Sequence, residues 1–154
     1  LDSRGVEVAD LTLAVGAGTF KPVTAPDTAS HRLDPEDVRF PKETVLALEN
    51  ARASGRRVVA VGTTVTRALE AWALRPAGRA PGSMDLYFST DLFITPGFDL
   101  RVVGALLTNF HLPRSTLLML VCAFAGRENV LAAYEDAIRH GYLFYSYGDA
   151  MLIA

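Results

Sequence analysis

Cysteine is nearly absent from the sequence. The single Cys122 lies in an apolar stretch, so neither a disulfide framework nor a cysteine-based zinc site is open to this chain. Tryptophan also occurs once, and histidine three times. Neither charge is in excess: 15 Lys and Arg face 17 Asp and Glu, a net charge of −2. That balance argues against a strongly basic nucleic-acid binder but leaves room for a local patch. Long apolar runs are missing too. The longest, residues 117–125, falls far short of the ~20 residues that span a bilayer. No signal-peptide pattern is read, and Leu1 in place of Met reads as a fragment or a processed or trimmed product. There are no internal repeats or low-complexity tracts. What is present is 154 residues, 50% hydrophobic, enough for one domain with a real core.

Strand-like and helix-like stretches alternate along the chain. Apolar alternation predicts a strand over residues 6–15, closed by the turn Gly16-Ala17-Gly18-Thr19. Residues 24–40 hold prolines and charges and read as a long loop. An amphipathic helix is predicted over 41–54, a short buried strand over 58–61 and a helix over 65–74. A flexible loop (75–83) leads to two short strands, 84–88 and 91–94, and a type II turn at Thr95-Pro96-Gly97-Phe98. A buried strand over 102–107 runs through Thr108-Asn109-Phe110-His111 into an apolar helix (117–125), closed by Gly126. A second helix (128–139) and a last strand (151–153) complete the chain. This alternation implies an α/β fold with a largely parallel sheet flanked by helices.

Chemistry-bearing residues concentrate at the turns. In open α/β sheets ligands collect beyond the carboxyl ends of strands, where helix N-termini offer free N–H groups. Gly16, Gly18 and Thr19 allow close backbone approach, or form a plain tight turn. Gly62, Thr63 and Thr64 would aim amides and hydroxyls at an anion or a ribose, with Arg67 as a bidentate donor. Alternatively, a threonine caps the helix and Arg67 faces solvent. Asn109, His111, Arg114 and Ser115 form the third such corner. His31, Asp34, Glu36 and Asp37 read either as a proton- or metal-handling cluster or as a solvated acidic loop. Near the end, Tyr142, Phe144 and Tyr145 precede Ser146-Tyr147-Gly148-Asp149. Aromatics there stack a nucleobase or fill the core, and Asp149 is a catalytic carboxylate or a turn residue.

Taken together, several stretches resemble one family. They are Leu11 to Val23, Val59 to Thr64 with Arg67 and Glu70, Phe93 to Phe98, Leu107 to Leu120, and Phe144 to Ile153. The chain is identified as a member of the S-adenosylmethionine:tRNA ribosyltransferase-isomerases of queuosine biosynthesis, matching the C-terminal half only. The resemblance implies an α/β fold that lacks an N-terminal part and an inserted β-barrel domain. Residues 1–154 would then be the C-terminal portion of the α/β domain, with no second domain. It implies S-adenosylmethionine as ribosyl donor, no metal, and a cytoplasmic enzyme acting on tRNA that carries a 7-aminomethyl-7-deazaguanine. The product would be epoxyqueuosine, and the missing half of the fold would be a partner.

On the matched positions the resemblance implies His111, Asp149 and Glu36 as catalytic. It implies Gly16, Gly18, Thr19, Gly62, Thr63, Thr64, Arg67, Asn109, Arg114, Ser115, Ser146 and Tyr147 as substrate-binding. Contact with tRNA phosphates would use Arg52, Arg56, Arg57, Arg75 or Arg79. The chain departs from the family pattern at Ala14 and Asp34, where the family carries His, and at Pro35 and Val65, where it carries Ser. These departures motivate an alternative, a diverged non-catalytic nucleoside- or tRNA-binding module.

Overall fold

A computed structural model describes residues 1–16, 31–75, 84–146 and 148–154. The elements run β1 (Thr12–Ala14), β2 (Glu36–Phe40), α1 (Lys42–Ala53), β3 (Val58–Val61), α2 (Thr63–Ala73), β4 (Leu86–Thr90), β5 (Val103–Asn109), α3 (Thr116–Ala125), α4 (Arg127–Arg139) and β6 (Ala150–Ile153). They form two three-stranded sheets, β1-β2-β4 and β3-β5-β6. The α/β class matches the sequence expectation.

Parallel pairing is narrower than the alternation of strands and helices implied. Among the described residues only β3 and β5 pair in parallel; β1-β2, β2-β4 and β5-β6 are antiparallel. The reason lies in the connections. α2 lies in the crossover between β3 and β5, which restores strand direction. By contrast, α3 leaves the carboxyl end of β5, and α4 turns back against it at 113° about Gly126. The chain therefore returns to the end it left, and β6 must run opposite to β5. No single helix among the described residues is long and apolar enough to cross a membrane.

Of the loop expected over 24–40, residues 24–30 lie outside the described ones, and residues 31–35 carry neither helix nor strand. Residues 36–40 form a strand, not loop, with Glu36, Val38 and Phe40 turned inward and Asp37 and Arg39 outward. The charges hid the alternation, because one of the inward residues is itself a carboxylate. The strand expected over 6–15 is cut to Thr12–Ala14, with Val6 and Val8 exposed. The strand expected over 91–94 does not form. The Thr90 hydroxyl accepts the Leu92 N–H at 3.2 Å and turns the chain out of the sheet. Ile94 is still buried in the core. At Thr95 to Phe98 the expected turn closes with a 3.0 Å bond from Phe98 N–H to the Thr95 carbonyl, with Gly97 at φ 99°.

The two sheets share one core. Phe40 of β2 stacks on Phe88 of β4 at 5.7 Å and on Trp72 of α2 at 6.5 Å. Leu106 of β5 and Leu120 and Val121 of α3 join the same apolar cluster. Each such side chain contributes about 1.5–3 kcal/mol by leaving water.

Glu70, fully buried on α2, fastens the entry to β5. Its carboxylate accepts the N–H groups of Arg101, Val102 and Val103 at 2.7–3.0 Å. Glu70→Gln keeps the shape but loses one acceptor oxygen. We expect about 1–2 kcal/mol of destabilisation, read as a lower urea midpoint with an unchanged slope.

Candidate functional site

Because β3 and β5 are parallel, their carboxyl ends open on the same edge of the sheet. Gly62 leaves β3 with φ 100° and ψ 149°, a backbone open essentially to glycine alone. Its N–H donates to the Leu107 carbonyl at 2.8 Å, which ties the turn to β5. Its carbonyl accepts both the N–H and the hydroxyl of Thr66 at 3.1 Å. Gly62 is the N-cap of α2, and no side chain caps that end. Neither threonine therefore acts as the cap. Thr63 and Thr64 stand in the first turn, where backbone N–H groups lack intrahelical partners and the helix dipole is positive.

The second wall comes from the end of β5. Thr108 and His111 are both buried, and Thr108 Oγ1 lies 2.8 Å from His111 Nε2. The His111 N–H donates to the Tyr134 hydroxyl of α4 at 2.9 Å. Burial pushes the imidazole pKa down to about 4, so the ring is uncharged at neutral pH. Burial likewise pushes the Tyr134 hydroxyl up. Beneath them Phe110 packs against Tyr134, Phe144 and Tyr142 at 5.1–5.8 Å.

The third wall is the loop before β6. Tyr145 N–H donates to the Phe110 carbonyl at 2.9 Å. The Asp149 N–H donates to the Leu143 carbonyl at 2.8 Å, and the Asp149 carboxylate accepts the Leu143 N–H at 2.8 Å. Asn109 Nδ2 donates to the Asp149 carbonyl at 3.3 Å. These straps hold Tyr145 and Ser146 over the ends of the strands. The result is a half-open cavity of about 160 Å³, lined by Gly62, Thr63 and Thr64 from the first wall, Thr108, Asn109 and His111 from the second, Tyr145 and Ser146 from the third, and Leu117 of α3.

The structure thus brings together Gly62, Thr63, Thr64, Asn109, His111 and Ser146. It sends others elsewhere. Glu36 and Arg67 are buried against each other as an ion pair joining β2 to α2. The carboxylate of Asp149 serves its own loop. Ser115 caps α3, accepting the Leu118 N–H at 3.1 Å and donating to the Leu112 carbonyl at 2.7 Å. Arg114 is exposed, with a left-handed φ of 58°. Gly16 is exposed after β1. Gly18, Thr19 and Tyr147 lie outside the described residues. Sequence reasoning passed over Thr108, Leu117 and Tyr145 as pocket walls. For Thr108 a signal existed, a hydroxyl three residues before a histidine at a strand's end. For Tyr145 the signal was the aromatic cluster before Ser146, which left stacking and core packing both open; for Leu117 there was none.

A profile of the family described as "Queuosine biosynthesis protein" matches residues 1–153. This chain belongs to that family. Among its relatives are S-adenosylmethionine:tRNA ribosyltransferase-isomerases of Aquifex aeolicus (52% identical), Thermotoga maritima (50%) and Sorangium cellulosum (57%), each aligned over 99% of this chain. The alignments cover 43%, 44% and 40% of those proteins, so the chain spans about two fifths of their length. The crystal structure of the Thermotoga maritima S-adenosylmethionine tRNA ribosyltransferase superposes with a TM-score of 0.71 at 52% identity, covering 77% of this chain and 40% of that one. The chain therefore corresponds to only a part of those relatives' architecture.

Burial of a neutral imidazole has a sign for stability. In the unfolded chain His111 takes its proton near pH 6.5, whereas folded it does so only near pH 4. Between those values the unfolded state binds the extra proton, so stability falls as pH drops through the window. We expect a loss of about 2–3 kcal/mol from pH 6.5 to 4 that is absent in His111→Gln. Urea midpoints with the same pH slope in both proteins would refute this.

Proposed function

We propose that this chain supplies the strand-end half of a transferase site that moves and isomerises the ribosyl group of S-adenosylmethionine. The acceptor is the aminomethyl group of a 7-deazaguanine in tRNA, the product is epoxyqueuosine in tRNA, and adenine and methionine leave. The protein would work in the cytoplasm, as the C-terminal portion of the α/β domain. The observation that carries this reading is the shared cavity at the carboxyl ends of β3 and β5, where the Gly62 turn and the His111 corner meet. A volume of about 160 Å³ lies below the few hundred typical of closed ligand pockets. It suits a sugar and part of its base, with the rest of the longer protein closing over them.

The residues fit the chemistry required. An uncharged His111 does not repel a sulfonium and offers a ring nitrogen to a proton beside it. Free amides and hydroxyls at the head of α2 can hold sugar oxygens and support negative charge developing on departing adenine. The loop carrying Tyr145 and Ser146 restricts water, which would otherwise intercept the reactive sugar.

The test uses the complete polypeptide that carries this sequence, with S-adenosylmethionine and tRNA bearing the aminomethyl precursor. Adenine release coupled to tRNA modification is the expected result. No adenine above background, with tRNA and S-adenosylmethionine both verified, overturns the transferase reading. Calorimetric binding without turnover would favour the non-catalytic module, to which Ala14 and Asp34 point.

A further inference from the structure

Tyr145 stands apart from the aromatics around it. Phe110, Tyr134 and Phe144 contact one another ring to ring at 5.1–5.5 Å in or against the core, and the exposed Tyr142 rests its ring on Phe110 at 5.8 Å. Among the described residues Tyr145 takes no part in that cluster. It lines the cavity instead and remains 45% exposed. Its backbone is also held at φ 73°, a left-handed conformation that a bulky L-residue adopts at a cost. Two bonds enforce it: Tyr145 N–H to the Phe110 carbonyl at 2.9 Å, and Gly148 N–H to the Tyr145 carbonyl at 3.1 Å. A half-exposed ring with no aromatic partner among the described residues, held by a strained backbone at the wall of a cavity, has the form of a binding surface for a flat partner.

We propose that Tyr145 is the stacking platform of a purine-nucleoside subsite. The base lies on its ring, and the ribose hydroxyls reach Thr63, Thr64 and Asn109 on the polar walls. The inference deepens the transferase reading and rests on it for the identity of the nucleoside. Its own content, a purine on Tyr145, is testable without turnover.

Adenosine is the probe and methyl β-D-riboside the base-free control, each titrated into the complete polypeptide by calorimetry or saturation-transfer NMR. Stacking on an aromatic side chain is worth about 5- to 150-fold in affinity per base. Tyr145→Leu should therefore weaken adenosine about 10- to 100-fold and leave the riboside unchanged, whereas Tyr145→Phe keeps adenosine within a few-fold. Tyr145→Gly should lose adenosine in the same way while its melting temperature holds or rises, because glycine accepts φ 73° without strain. A core-packing role predicts the opposite, a lower melting temperature in both Leu and Gly variants with adenosine affinity unmoved. That result, or a wild-type protein blind to adenosine, overturns the proposal. Adenosine binding that depends on Tyr145, without adenine release from S-adenosylmethionine, would refute the transferase reading and leave this subsite standing.

Discussion

Replacing Arg67 with Met is expected to destabilise the protein by about 3–5 kcal/mol, and replacing Glu36 with Leu by a similar amount. The two side chains are 5% and 2% exposed and pair across the boundary between β2 and α2. Removing Glu36 leaves the buried Arg67 guanidinium without this carboxylate, and removing Arg67 takes a close buried cation from Glu36, which is the costly event. Removing both is different. A Glu36→Leu, Arg67→Met double variant removes both members of the pair at once and should recover part of the loss, giving a large coupling energy in a double-mutant cycle. Urea unfolding of the four proteins measures it. Additive single effects would mean that the pair does not act as a unit. The head of α2 lines the cavity one turn away, so the single variants should weaken ligand binding even where the fold survives.

The second large effect is expected at Gly148. A Cβ placed there would lie 2.6 Å from the Leu143 carbonyl carbon and 2.7 Å from that of Phe144. Both obstacles are backbone, which cannot swing aside as a side-chain tip does. Gly148→Ala must therefore open the loop and break the paired bonds between Leu143 and Asp149. Tyr145 and Ser146 ride on that loop, so the third wall shifts. A displacement of about 1 Å at a reacting centre costs on the order of 10²-fold in rate. Under the transferase proposal, adenine release by the complete polypeptide should fall at least that far, with the circular dichroism of the helices unchanged. Turnover within threefold of wild type would show that the loop does not shape the site.

These two cases mark what could be read from the chain alone. The Gly62-Thr63-Thr64 turn and the Asn109 to His111 corner were legible because each couples a local signal to a local geometry: a strand, a glycine or polar break, then a helix. Their convergence followed from parallel pairing of β3 and β5, which the alternation of elements implied. Glu36 was misplaced because its partner lies on α2, and no local pattern shows that a buried carboxylate will be neutralised from so far along the chain. Asp149 and Ser115 carried the right chemistry for a site, but the backbone N–H groups of Leu143 and Leu118 claimed them first. The strain at Tyr145 is a property of the folded loop and leaves no trace in residue type. The antiparallel turn of β6 likewise depended on the angle between α3 and α4, which composition does not encode.

The position of β6 has a consequence for motion. Among the described residues it is an edge strand, four residues long, whose first, Ala150, pairs with Asn109 and directly follows Asp149, the clasp of the loop above the cavity. Fraying of this strand and unlatching of the loop are therefore one event rather than two. A ligand resting under Tyr145 would be felt at the far end of the strand as slower amide hydrogen exchange through Ile153.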